Sequence, residues 1–302
     1  KVLGLSPTPV PTEPIRNQIL LPSSQEEPTP TQPAATQEPT HVDVTQGAEQ
    51  ETNPHPDKLL PETPEHGVGG LGDYLAIHQE IRRIATNAAS AIATITVTTE
   101  RTDWFEQIYE ESTTLSGVIV GDNGVELLIL TEASPLLSAD EVSISVGGYT
   151  TEDTVLFASD IHYDLAVIGI DYASIPAQNL EMINYAVFGE SHSLFVGTPV
   201  IAIGNPNGYS GSFELGTVTA RNSYAYVADN RLDLFNISIP DYENGTGVVV
   251  NTSGEIIGLI THAFKEGINQ NLNTAIGISR MKPVIEALVN GQRMNYFGVV
   301  AE

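Results

Sequence analysis

The 302-residue chain has no cysteine, which excludes disulfides, thiolate nucleophiles and thiolate metal sites. Positive charge is scarce: 12 Lys and Arg stand against 38 Asp and Glu, a formal net charge of −26. No basic cluster rises from that background, so neither nucleic acid nor an anionic membrane surface is expected as a partner. Acidity of this degree favours solubility and little non-specific adhesion. No apolar run reaches the ~18 residues that a membrane-crossing helix needs. The acidic residues show no calcium-loop spacing, and neither a metal nor another cofactor is expected.

What is present is unevenly spread. Thirteen of the 19 prolines precede residue 70. The stretches "SPTPVPTEP", "QEEPTPTQPAATQEPT" and "ETNPHPDKLLPETPEHG" are rich in Pro, Thr, Glu and Gln. Such a segment cannot bury enough apolar area to offset its ordering entropy, so residues 1–70 are expected to be a disordered linker or stalk. The remaining ~230 residues are long enough for a substantial core. The chain begins at Lys1, not Met, so a processed or truncated product is expected. A membrane or cell-surface tether upstream of Lys1 would suit the stalk.

From Asp73 to Asn87, the residues Tyr74, Ile77, Ile81 and Ile84 recur at helical spacing, with Asp73 as the expected N-cap. The period then changes to two. Strand-like runs follow about every ten residues: "AIATITVTTE", "LSGVIV", "ELLILTE", "DEVSISVGG", "DTVLFASD" and "DLAVIGID". A second series begins near residue 183: "YAVFG", "TPVIAIGNPNG", "FELGTVTARN", "LDLFNISI", "GVVVNTSGEIIGLITHAF" and "LNTAIGIS". A closing helix is predicted over 281–290, with Pro283 in its first turn and Gly291 as its stop. Two series of about six strands without βαβ alternation read as all-β, best as a pair of closed antiparallel barrels. A single sandwich is the alternative, but the two matched series are large for one.

The order of short motifs is more specific than any one of them. "LSGVIV", "NGVELLILTEAS", "SDIHYDLAVIGID", "VGTPVIAIGNPNGYSGSFELGTVTA", "NGTGVVVNTSGEIIGLI" and "LNTAIGISRMKPVIEALVNGQ" run collinearly with motifs of one enzyme family. From about Ile84 to Val299 the chain resembles the trypsin-like domain of the HtrA/DegP serine proteases. The resemblance implies two six-stranded β-barrels, the first over about 88–173 and the second over about 183–280, within a domain of 71–302. It implies an active site in the crevice between them, a possible homotrimer, an extracytoplasmic bacterial setting and, in the parent protein, a following PDZ domain.

The family's reaction needs a serine nucleophile, a histidine base, a carboxylate to hold the base and an oxyanion hole. "HYDLAVIGI" matches "TDLAVLKI", which puts Asp164 at the carboxylate position. A carboxylate capping a strand start is the plainer reading of that residue. "TNxHVV" becomes "TEASPL", which puts Ser134 at the histidine position; a hydroxyl lacks a pKa near 7 and cannot serve as base. Pro135 also disfavours a helical turn at Ser134. "GNSGGPLVN" falls on "ENGTGVVVN", which puts Gly245 at the serine position, or Asn244 when counted from the preceding strand. Thr246 is the nearest hydroxyl and lacks a base.

Of seven histidines, His41, His55 and His66 fall in the linker and His78 on the leading helix. His162 is read on one strand face with Asp164, and His192 in the turn before the second barrel. His262 is placed by the resemblance beside the cleft, with Asn244. Asn236, Asn244 and Asn251 open short glycosylation-like triplets, which recur by chance. The expectation is a catalytically inactive family member whose cleft binds a peptide or protein. The rivals are an active endopeptidase with a non-standard site, such as Thr246, and a purely structural module.

Overall fold

A computed structural model describes residues 70–265, 271–292 and 296. The chain divides into two units, Lys1–Thr63 and Pro64–Glu302, and all the described residues lie in the second. The predicted linker, like His41, His55 and His66, lies outside the described residues, and the stretch after Gln292 does so except for Tyr296.

Helix α1 (Leu71–Ala89) opens the described region. Its predicted apolar face is only half used. Ile84 is buried and Ile81 packs beside it, while Tyr74 and Ile77 are exposed. Asp73 is not its cap; Gly70 is, and its carbonyl accepts from the Asp73 N–H.

The first sheet holds β1 (Ile92–Thr102), β2 (Ile108–Asp122), β3 (Glu126–Glu132), β4 (Glu141–Val146), β5 (Tyr149–Thr151), β6 (Thr154–Asp160) and β7 (Leu165–Asp171). Its order is β5-β4-β1-β2-β3-β7-β6, all antiparallel. It is a half-barrel of seven strands instead of a closed barrel of six. The added strand, β5, follows the Gly147-Gly148 turn, and β6 curls back toward β4. The second sheet holds β8 (Pro199–Asn205), β9 (Ser212–Val227), β10 (Asn230–Pro240), β11 (Thr246–Val250), β12 (Ile256–Ile260) and β13 (Leu272–Gly277). It is the expected closed six-stranded barrel, in the order β10-β13-β12-β11-β8-β9. "YAVFG" is not one of its strands: residues 185–189 run as a loop, touching β12 only by one bridge from Phe188 to Ile256.

Burial explains the strand sequences. In β1, Ala93, Ile95 and Val97 point into the first sheet's interior with Ile119, Ile129 and Ile144, and the residues between them are more exposed. β3 is apolar from Leu127 to Leu130 because both its faces are covered there. Leu127 and Ile129 face that interior, while Leu128 and Leu130 face the second barrel. β8 is built the same way, with Val200 and Ala202 inside the closed barrel and Ile201 and Ile203 outside it. The shared core between the two sheets also takes in Ile84 of α1 and residues of α4 (Ile278–Val289).

Helix α4 starts three residues before its predicted bound, so Pro283 is in its second turn. Ser191 holds the extra residues: its Oγ accepts from the Ser279 N–H at 3.1 Å, and its N–H donates to Ser279 Oγ at 2.7 Å. Two further helices, α2 (Ala133–Leu137) and α3 (Ala177–Leu180), are short.

Candidate functional site

Between the two sheets lies a cavity of ≈ 30 Å³, lined among others by Ser116, Glu132, Asp164, Thr246 and Gly247. It has room for a water molecule or two. Glu132, Asp164 and Thr246 reach it from strand ends, and Ser116 from the middle of β2.

Asp164 stands at the close of the β6–β7 turn, just before β7. Its φ of 52° is left-handed, a region that Asp tolerates better than most residues. Its carboxylate faces α2. Oδ1 accepts from the Ser134 hydroxyl at 2.6 Å and from the Ser134 N–H at 2.7 Å. Its backbone carbonyl accepts from the Ala133 N–H at 3.1 Å. Thus the carboxylate meets the residue predicted opposite it, and that residue is a hydroxyl. Ser134 is helical despite Pro135. The proline is the third residue of α2, where its missing N–H would have had no helical partner, and Asp164 holds the turn from outside.

Glu132, just before α2, was not singled out by its sequence. It lies beside the same cavity, and its carboxyl is pushed up to about 8. Loss of solvent is the largest cause, repulsion from Asp164 follows, and the Lys265 ammonium opposes both.

The loop 241–245 leads from β10 into β11. It is pinned at nearly every residue. Asp241 pairs with Lys265, and lies 3.4 Å from His262 Nε2. The Tyr242 carbonyl accepts from the Gly245 N–H at 2.8 Å and from His262 Nε2 at 3.1 Å, so Nε2 carries the proton. Asn205 Nδ2 donates to the Asn244 carbonyl at 3.1 Å and to Thr114 of the first sheet at 3.2 Å. Asn273 is fully buried and donates to the Pro240 carbonyl at 2.9 Å.

Gly245 has no room for a side chain. A Cβ there would stand 2.8 Å from the Pro206 carbonyl oxygen and 3.1 Å from that of Tyr242. Its N–H, spent on Tyr242, is also not free to stabilise an oxyanion. Thr246 is buried, and its hydroxyl is committed to the first sheet. It accepts from the Ser116 N–H at 2.9 Å and donates to Ser116 Oγ at 3.2 Å.

The histidines are dispersed. His162 is not on a strand with Asp164 but in the β6–β7 turn, its ring edge-on to Tyr296 at 4.7 Å. His192 lies in the loop before β8 and His78 on α1. His262 follows β12 by two residues instead of lying on it, and serves the 241–245 loop. Among the described residues, Asp164 bonds no histidine. Nor does any group of three or more His, Cys, Asp or Glu there stand close enough to hold a metal.

Residues 115–259 match the family model of the trypsin-like peptidase domain. A probable periplasmic serine endoprotease, DegP-like, of Rickettsia conorii is 31% identical over 178 residues, 57% of this chain and 33% of that protein. The serine protease Do-like HtrB of Bacillus subtilis is 29% identical over 187 residues, 60% of this chain and 39% of that one. The serine endoprotease DegS of Haemophilus influenzae is 28% identical over 194 residues, 62% and 54%. The chain thus spans about a third to a half of the length of these curated relatives. Among solved structures, the HtrA-type protease AlgW with a decapeptide shares the fold at a TM-score of 0.53. The two are 24% identical, over 70% of this chain and 68% of that one.

Proposed function

From this homology to HtrA-type serine proteases, we propose that the chain is an inactive member whose inter-barrel cleft binds peptide. The observation that carries the proposal is Gly245. The motif match puts at the serine position Gly245, or Asn244 by the other count, and Gly245 has no side chain, no space for one, and its N–H already used. Ser134, at the histidine position, accompanies it with a hydroxyl that donates to Asp164. In a worked triad, losing nucleophile or base alone costs ~10⁶ in turnover, and losing both costs little more.

The reading left for the cleft is that an extended peptide lies along it and adds main-chain hydrogen bonds. AlgW, which shares the fold, is known with a decapeptide and with a tripeptide. An extracytoplasmic site of action follows the periplasmic description of the DegP-like relative. A trimer and a tether upstream of Lys1 belong to the same proposal.

The test has two parts. The purified chain is incubated with an unfolded protein and a serine-directed phosphonate; neither cleavage nor labelling above background is expected, and either would falsify inactivity. The double variant Ser134→His, Gly245→Ser is then assayed in the same way. It is expected to stay inert, because the new Cβ collides with the Pro206 carbonyl. Peptide-array binding that saturates separates the binder from a structural module.

A further inference from the structure

The scarcity of cations makes their placement informative. A second cavity, of ≈ 140 Å³, is lined by Ser191, His192, Arg221, Tyr224, Arg231 and Asp233 among others. It sits where β9 ends, β10 begins and β13 ends. Its lining shares no residue with that of the cavity between the two sheets. Of the chain's 12 Lys and Arg, two line it, and a third, Arg280, holds its one carboxylate.

Each guanidinium has a different degree of commitment. Arg280 Nε donates to Asp233 Oδ2 at 2.7 Å, so Asp233 is neutralised from outside the cavity. Arg221 donates to the carbonyls of Leu194 and His192, the latter at 3.1 Å. Those two bonds fix its plane and leave three of its five N–H donors. Arg231 is stacked over the Tyr224 ring at 4.2 Å, and its closest approach to Asp233 is 3.8 Å, beyond hydrogen-bond reach. Tyr224 therefore holds an Arg231 fork that is ion-paired with Asp233 but makes no hydrogen bond to it. With Asp233 cancelled by Arg280, the cavity carries the excess charge of two guanidiniums within a chain of −26.

We propose that this cavity binds the carboxylate of a peptide ligand, between Arg231 and Arg221. A planar guanidinium fork matches a planar carboxylate in two parallel hydrogen bonds. A monoanion is favoured over a phosphate dianion, because the whole chain, at −26, repels negative charge. The carboxylate comes from a chain terminus or from an Asp or Glu side chain. The site stands apart from the inter-barrel cleft, and its occupancy does not depend on the cleft's function.

Fluorescence anisotropy with the full chain tests the proposal. One probe is a labelled neutral peptide with a free C-terminal carboxylate; the other is C-terminally amidated and carries two glutamates. Saturable binding of at least one is expected. Arg231→Gln should weaken it about tenfold or more, as loss of a charge-assisted pair does, with the thermal midpoint unchanged. Should that variant unfold, Arg231→Lys, which keeps the charge and loses the fork, is read in the same way. The proposal fails if neither probe saturates by about 1 mM, the range of a weak specific contact. It fails equally if the folded variant binds like the parent, or if inorganic phosphate displaces the probe at lower concentration than acetate does.

Discussion

Asp164 has a structural use of its own. Its Oδ1 takes two hydrogen bonds from Ser134, and its carbonyl takes one from Ala133. Bonds of this charged kind contribute about 1.5–3 kcal/mol each. Asp164→Ala is therefore expected to destabilise the domain by roughly 2 kcal/mol, measured by urea denaturation. An unchanged midpoint would mean that Asp164 does not hold α2. Glu132 gives a prediction of the opposite sign. An acid whose folded pKa is about 8, against 4.5 ordinarily, favours folding in its protonated form. Its stabilising contribution is present below pH 4.5 and is lost as pH rises through 8. Glu132→Gln should accordingly raise the thermal midpoint at pH 8.5 relative to the parent, and raise it much less at pH 4.5. Equal shifts at both pH values would sink the assignment.

At the level of elements, the 241–245 loop is a fixed structure held by side chains from three directions. Asn273 is the most enclosed of them, with no exposed surface. Asn273→Leu leaves the Pro240 carbonyl without its side-chain donor, and a cost of about 1–3 kcal/mol is expected in the same denaturation assay. Gly247 sets a stricter limit on β11. Its φ is +141°, and a Cβ there would stand 2.3 Å from the Ile203 carbonyl oxygen. Gly247→Ala is expected to cost more than about 3 kcal/mol, a size that marks a backbone conflict.

The strands themselves were readable because β3, β7, β8, β11 and β12 carry apolar residues on both covered faces, while β1 alternates. The "YAVFG" run was misread for a related reason: Ala186 and Phe188 pack on the shared core from a loop, so apolar spacing alone imitates a strand. Helix α2 was hidden because its stabilising partner, Asp164, is 30 residues away from Ser134. In the site, collinear motifs brought Asp164, Ser134 and Gly245 to notice. Glu132 escaped because its perturbation depends on burial and on Asp164 and Lys265, which no local pattern joins.

For the whole molecule, the two sheets are joined by polar bonds as well as by the shared core. Thr246 reaches Ser116, Asn205 reaches Thr114, and Thr94 meets Ser210 at 2.8 Å. The net charge of −26 works against this union, since like charges are brought together on folding. Salt screens that repulsion. Raising NaCl from about 20 to 500 mM shortens the screening length several-fold. It should raise the thermal midpoint by roughly 2–4 °C, equivalent to about 1 kcal/mol in a domain of this size. A midpoint that falls with salt would show that ion pairs such as Asp241–Lys265 outweigh the surplus of negative charge.

The bond between Ser134 and Asp164 also bears on how such chains are sorted. A search that scores residues for a reaction would count Asp164 as one third of an intact apparatus. Yet folding alone gives reason to keep it, because α2 hangs from it. The aspartate therefore says nothing about turnover in either direction. A position such as Gly245 bears on turnover more directly, because the backbone carbonyl of Pro206 stands within 2.8 Å of where a side chain would begin.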